Sequence, residues 1–405
     1  MVVTLASSNQ ISTEFIAWER PLLGGYDTNI RPRILSRSCV WIVTFFVRFR
    51  ARARLRLQEL DSRSEYATFT SHARLPYPVG VMAQQRTVLV VSDIHYACEA
   101  EKQRRGHETR IITNPLLRRA VQSYRHHIWL RDPFAHNHLL DDFLARADSP
   151  DLVITNGDYS CDTEFIGMCD NAAFESARQC LTRLRDRFGP NLRSVIGDHE
   201  LGKMSLFGGK GGFRLASWHR ATTELALQPF WRTDIGHYVL IGVTSSLLAF
   251  PVYLPEALPD ERNDWAALRE AHLSEIRRTF AALEAQQRVL LFCHDPTALP
   301  FLWRDDTVRK KLPQVEQTII GHLHSDFFYR KSRWLAGMPA IRFLGNSIRR
   351  MSQALNEARC WRGFKVKLCP SLAGIELLKD GGYCELRIGE HASRQAEFHF
   401  RRLRR

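Results

Sequence analysis

The chain has 405 residues, 44% hydrophobic and 25% charged, enough apolar material for a sizeable core and an ordinary balance for a globular protein. Nine of its 57 basic residues are Lys and the other 48 Arg, against 43 acidic residues, so the formal charge of +14 suits anionic partners, phosphorylated substrates first and nucleic acid less so. The nine Cys, at 39, 98, 161, 169, 180, 293, 360, 369 and 384, form no Cys-x-x-Cys pair, which argues against a disulfide framework and a zinc ribbon and fits a reducing, cytoplasmic location.

The chain opens with a stretch unlike the rest. Residues 1–80 hold 11 Arg and no Lys and show no sustained period. Val40 to Val47 is apolar but far short of the roughly 20 residues that a membrane span needs. It lies too deep and lacks the small-residue cleavage site of a secretory leader. The expectation is a basic, disordered extension over residues 1–81, with Met82 as the natural opening of a single domain over residues 82–405.

From Thr87 the sequence TVLVVSDIHY reads as a buried strand, since its apolar run has no helical period. Asp93 and His95 then fall on the loop leaving the strand's C-terminal end, where open α/β sheets place their chemistry. The connection to the next strand is long for a βα link and holds an insert at about 97–150. A helix is expected around Leu139, Leu140, Phe143 and Leu144, with several Arg and His nearby. The plain reading of those His residues is surface positions; the sharper one is a cap over a site, its Arg residues holding phosphate.

Four further strands end in the same way. DLVITNGDYSCD delivers Asp158 after Gly157 and then Asp162; LRSVIGDHE delivers Asp198 and His199; VLLFCHDP delivers His294; QTIIGHLHS delivers His322 and His324. Between them, helices are expected over Asn171–Phe188 and Arg262–Gln287, the latter burying Trp265, Leu268, Leu273, Ile276, Phe280 and Leu283. A strand is expected over His237–Leu248, and short strands near Phe364–Leu368 and Tyr383–Ile388. FGGKGGF, residues 207–213, is not a phosphate-binding loop, because Lys210 is followed by Gly211; it reads as a flexible loop with Lys203 and Lys210 at hand.

A lone Asp-x-His is as well explained by a capping Asp and a hydrogen-bonded His. Five strand ends all delivering Asp or His are not explained by fold alone. Gathered at one end of a sheet, such side chains repel one another unless divalent cations neutralise them. Mixed carboxylate and imidazole donors suit Mn, Fe, Zn or Co better than Mg or Ca.

The ordered series Asp93-x-His95, Gly157-Asp158, Gly197-Asp198-His199-Glu200, His294 and Gly321-His322-Leu323-His324 resembles the calcineurin-like metallophosphoesterase superfamily, whose pattern is DxH, GDxxD, GNH[DE], H and GHxH. The resemblance covers about residues 87–350. It implies an α+β fold, a four-layer αββα sandwich of two mixed β-sheets, with two divalent metal ions at its site. One ion would be held by Asp93, His95, Asp158 and His324, the other by Asp158, Asp198, His294 and His322, with Asp158 bridging. A bridging water, made acidic by both ions, would attack phosphorus, and His199 would protonate the leaving oxygen. Asp162 takes the place of the second Asp of GDxxD, displaced by one, so it is expected either to orient the catalytic His or to cap its own loop. Asp198 stands where the family has Asn, adding a charge. The competing expectation is a fold of this kind kept as a binding scaffold, but a scaffold has no need of every ligand type together with His199.

Overall fold

The computed structural model of the chain describes residues 85–110, 112–203, 211–341, 346–389 and 395–403. The expectations for residues 1–81 and for Lys210 lie outside these. Among the described residues, ten strands form two sheets: β1 Gln85–Val91, β2 Leu152–Thr155, β3 Leu192–Ser194, β4 Phe230–Ile235, β5 Tyr238–Val243, β6 Arg288–Cys293, β7 Val315–Ile320, β8 Val366–Leu368, β9 Gly382–Gly389 and β10 Glu397–Arg402. The principal helices are α1 Pro115–His127, α2 Asn137–Arg146, α3 Asn171–Phe188, α4 Asp198–Leu201, α5 Arg262–Ala281, α6 Asp326–Trp334 and α7 Asn346–Glu357.

One sheet has the order β10-β9-β1-β2-β3 and the other β4-β5-β6-β7-β8. Strands β1, β2 and β3 run parallel, as do β5 to β8, while β9, β10 and β4 pair antiparallel at the edges. Alternation along the strands then builds the layers. Val88 and Val90 of β1 and Leu152 and Ile154 of β2 pack against Leu240, Leu290, Phe292 and Ile319 of the other sheet. Leu89, Val91 and Val153 face outward onto Ala177, Leu181 and Leu184 of α3. Val239, Ile241 and Leu291 face outward onto Leu273, Ile276 and Phe280 of α5. Helices, sheet, sheet, helices: this is the expected four-layer α+β sandwich.

Helix α3 has the expected bounds because both ends are marked chemically. The Asp170 carboxylate accepts from Ala173 N–H at its start, and Gly189, with φ 51°, ends it. Helix α5 stops at Ala281 rather than Gln287, although Leu283 is still buried: the apolar period runs on into a turn after the helix has ended. Residues 237–248 are likewise divided, β5 ending at Val243 and a helical turn following over Ser245–Leu248. Leu247 and Leu248 are both buried, so the apolar run does not reveal where the strand stops. Strands β4 and β10 were not expected; each is an edge strand with exposed Arg, and exposure blurs the pattern. None of the described helices is long and apolar enough to cross a membrane. The eight described cysteines are all free thiols.

Candidate metal centre

Because β1, β2, β3, β6 and β7 are parallel within their sheets, their C-terminal ends deliver Asp93, Asp158, Asp198, His294 and His322 to the same end of the sandwich. The loops there are unusual. Eleven described non-glycine residues have positive φ, and five of them are Asp93 (50°), His95 (48°), Asp158 (60°), His322 (59°) and His324 (58°). Side chains adopt this region rarely, and it is concentrated where structure is held for function. Gly157, at φ +92°, has no room for a side chain: a Cβ would lie 2.8 Å from Gly197 Cα and 2.9 Å from His294 Nδ1.

The donor atoms converge in three groups, each within 4.8 Å: Asp158, Asp198, His294 and His322; Asp93, His95 and His324; and His95, Asp158 and His199. The first is the complete second set expected from sequence. The other set arrives without Asp158, which meets His95 and His199 instead, so the Asp158 carboxylate belongs to both flanks. His294 Nε2 lies 3.1 Å from Asp158 Oδ2 and 3.3 Å from Asp198 Oδ1. His322 Nδ1 lies 3.0 Å from Asp198 Oδ1, and His324 Nε2 3.4 Å from Asp93 Oδ1. His199 lies beside the cluster, with Nε2 3.7 Å from Asp158 Oδ2.

The imidazole tautomers follow from the partners of Nδ1. Those of His95 and His199 both meet the Ser160 carbonyl, at 3.1 and 2.8 Å, and that of His294 meets the Asn156 carbonyl at 2.6 Å. A carbonyl only accepts, so each Nδ1 carries hydrogen and each neutral ring presents a lone pair at Nε2. Nε2 of His95 and of His294 and Nδ1 of His324 are buried with no hydrogen-bond partner. Of these, His294 Nε2 faces the carboxylate oxygens of Asp158 and Asp198, while His324 turns its other nitrogen, Nε2, to Asp93. A lone pair facing a carboxylate in a buried site is repulsive, and a cation between them removes the conflict. The residues present therefore fit divalent metal ions.

Electrostatics agree with a site built for positive charge. Burial pushes the Asp93 carboxyl above its usual range. Burial would raise Asp158 too, but protons drawn onto His199 and His294 outweigh it and hold it well below the usual range. Against its own burial, His294 is raised well above its ordinary value by Asp158 and Asp93: without a cation, an imidazolium takes the cation's place. Burial pushes the His199 imidazole down to about 3.

In the sequence, Glu200 is only the last letter of a motif. In the structure its fully buried carboxylate accepts from the N–H groups of Asp158 (3.1 Å), Tyr159 (2.9 Å) and Gly197 (2.8 Å), tying the Asp158 loop to the Asp198 loop. Asp93 is fixed similarly, accepting from Ser92 Oγ (2.5 Å) and, on both oxygens, from His322 N–H. Asp162 is fully buried, and its hydrogen bonds come from the backbone N–H groups of Gly167 and Lys203. The group that orients His199 is the Ser160 carbonyl. Asp162 thus occupies the loop-capping position of the two expected for it, and burial pushes its carboxyl up to about 7.

The extra charge at Asp198 has a neighbour that no spacing announced. Arg350, on α7, donates to His322 Nε2 at 2.9 Å. Its Nη2 lies 3.9 Å from Asp198 Oδ2 and 3.8 Å from Asp295 Oδ2, and its side chain is only 14% exposed. Tyr253 donates to Asp295 Oδ2 at 2.8 Å and lies under the guanidinium, 4.9 Å away. In the insert, Arg104 pairs with Asp170 and Arg105 with Asp132, each at 2.6 Å. From the insert, Trp129 reaches the cluster, its ring 4.8 Å from that of His324.

Several solved structures are similar in outline at low identity. A dimetal phosphatase of Danio rerio is 14% identical, with 77% of this chain and 98% of that chain covered and a TM-score of 0.39. The phosphopantetheinyl hydrolase of Mycobacterium tuberculosis is 14% identical, with 59% and 83% covered and a TM-score of 0.29. A purple acid phosphatase from yellow lupin seeds is 10% identical, with 81% and 55% covered and a TM-score of 0.35. No curated protein matches the sequence. The calcineurin-like phosphoesterase family matches over residues 86–326, more than half the chain and every strand end described above; the chain belongs to that family and is a hydrolase of phosphoric esters.

Proposed function

We propose that the protein hydrolyses a phosphomonoester or phosphodiester at a dinuclear centre, with Asp93, His95, Asp158 and His324 holding one divalent ion and Asp158, Asp198, His294 and His322 the other. The observation that carries this is His294 Nε2, buried without a hydrogen-bond partner 3.1 Å from Asp158 Oδ2 and 3.3 Å from Asp198 Oδ1, with His324 Nε2 3.4 Å from Asp93 Oδ1 on the other flank. When bound, such ions offset charge on phosphoryl oxygens and lower the pKa of water. His199, whose neutral ring presents a lone pair at Nε2, takes up a proton there and passes it to the leaving oxygen. With Nδ1 committed to the Ser160 carbonyl, exchange takes place at Nε2. Arg350 sets the charge at the Asp198 flank, and Glu200 keeps the two ligand loops in register.

The test is hydrolysis of p-nitrophenyl phosphate and bis-p-nitrophenyl phosphate by protein stripped with chelator and resupplied with Mn. Turnover of either, lost in Asp158→Ala together with metal and lost in His199→Gln with metal content retained, is expected. Metal binding without turnover of any ester would leave a scaffold; failure to bind metal would end the proposal.

A further inference from the structure

The rings beside the cluster form a continuous row. His199 and His95 have centroids 4.7 Å apart, and His95 stacks on His324 at 5.0 Å and 18°. His324 meets Trp129 at 4.8 Å and 45°, and Trp129 meets Phe328 edge-on at 5.3 Å and 62°. The three imidazoles belong to the cluster. Trp129 and Phe328 come from elsewhere, one from the insert and one from α6, and both remain only partly buried.

Trp129 is also held in place. Its carbonyl accepts from Glu376 N–H at 2.5 Å, the Ile128 carbonyl accepts from Leu377 N–H at 3.2 Å, and Tyr124 stacks on it at 6.4 Å and 21°. A large ring fixed in this way loses little freedom when a ligand settles on it, which favours binding. Arg350 lies beside His322 and Asp198, whereas Trp129 joins the cluster through His324, in the same row of rings as His199. A leaving group that takes its proton from His199 Nε2 and continues along the row past His95 and His324 meets Trp129.

Resting on the phosphoesterase reading above, we propose that Trp129 and Phe328 form a leaving-group subsite, and that the preferred substrates are phosphoesters whose leaving group carries a planar ring, as a nucleoside does. Stacking of a base on an aromatic side chain is worth roughly 5- to 150-fold in affinity.

The experiment compares two non-hydrolysable phosphonates, the methylene analogues of 5′-AMP and of ribose 5-phosphate, which differ only in the base. Their dissociation constants are measured by titration calorimetry on the metal-loaded full chain. The adenosyl analogue is expected to bind tighter by a factor in that range. Trp129→Leu should bring the ratio close to one, and Phe328→Leu should lower it part of the way; each variant is checked for metal content and circular dichroism. Because the ratio is read within one protein, a change at the metal centre that weakens both analogues cancels. Equal affinities in the wild type, no measurable binding of the adenosyl analogue, or a ratio unchanged in both variants would overturn the subsite. Turnover of 5′-AMP, followed in parallel, reports on hydrolysis separately. Turnover with a ratio of one keeps the phosphoesterase and removes the subsite, whereas a base-dependent ratio without turnover of any ester keeps the subsite and removes the phosphoesterase.

Discussion

Glu200→Gln isolates the support of the site from its ligands. The native carboxylate receives three backbone N–H groups, Tyr159 on one oxygen and Asp158 and Gly197 on the other, in a fully buried setting. Gln has the same size but only one acceptor oxygen. Whichever way the amide is turned, its NH2 group faces at least one of those donors. A buried donor left without a partner costs about 1–3 kcal/mol, and at about 2.1 cal/mol/K per residue each kcal/mol lowers Tm by roughly 1.5 °C for a domain over residues 82–405. The loops that separate carry Asp158 and Asp198, so affinity for Mn should also fall about 10- to 100-fold, as when an outer partner of a metal ligand is removed. The assay is thermal unfolding of chelated and Mn-loaded protein, with Mn affinity measured by chelator competition. Glu175→Gln is the control, because that Glu lies at the surface in a helical pair with Arg178 and should change stability by less than about 0.5 kcal/mol. Glu200→Gln with Tm within about a degree of wild type and unchanged Mn affinity would show that the three hydrogen bonds do not hold the site together.

Arg350→Gln leaves Asp198 and Asp295 without their guanidinium and should destabilise the metal-free protein by roughly 1–3 kcal/mol, below the cost of breaking a tightly hydrogen-bonded buried pair because the contacts are 3.9 and 3.8 Å. Adding Asp198→Asn should recover part of that loss in urea unfolding, whereas strictly additive effects would show that the two residues are not coupled. Asp162→Asn retains one acceptor for the two donors Gly167 N–H and Lys203 N–H, so it should lower stability by about 1–3 kcal/mol and leave kcat within a few-fold. A large fall in kcat at unchanged stability would instead make Asp162 catalytic. His272 is buried, with Nε2 accepting from Thr244 N–H at 3.2 Å, and burial pushes it down from 6.5 to about 3. The unfolded chain takes up this proton below pH 6.5 and the native protein only near pH 3, so its contribution is complete above 6.5 and is lost as pH falls toward 3, by up to about 1.4 kcal/mol per unit. His272→Gln should therefore flatten the stability profile between pH 6 and 4; an unchanged slope would mean that His272 does not titrate this way.

The parts of the site that were legible in sequence are those where local chemistry and position coincide. A strand running into Asp-x-His or Gly-His-x-His puts its ligands at a strand end whatever surrounds it, and five such ends in order fix both the sandwich and the cluster. Glu200 stood in one of these motifs, but its three partners include Asp158 and Tyr159, about 40 residues earlier, and nothing in the spacing names them. Arg350 was illegible for the same reason: it lies 26 residues beyond His324 on a helix with no motif, and only folding brings it to Asp198. Trp129 sits within an insert whose charged residues are more conspicuous than its one aromatic beside the cluster. Asp162 shows a choice that spacing left open, since orienting the catalytic His and capping its own loop were both expected, and the loop geometry directs its oxygens to the N–H groups of Gly167 and Lys203.

The backbone of the site explains why so much of this outer structure is needed. Asp93, His95, Asp158, His322 and His324 all sit at φ between 48° and 60°, where an L-residue is disfavoured by about 1–2 kcal/mol, less for Asp than for His. Five such residues together represent a sum comparable with the whole stability of an ordinary domain, so these loops would relax if only their ligand side chains held them. What opposes relaxation is backbone hydrogen bonding between loops from different strands. Asp93 N–H donates to the Gly157 carbonyl and His95 N–H to the Asp158 carbonyl, both at 3.1 Å, while Asp93 receives His322 N–H and Glu200 receives Asp158 N–H. Each ligand loop is thus closed by the next one rather than by itself. Occupation of the site by cations and folding of these loops must then reinforce each other, because the ions draw together the same carboxylates and imidazoles that the strained backbone presents.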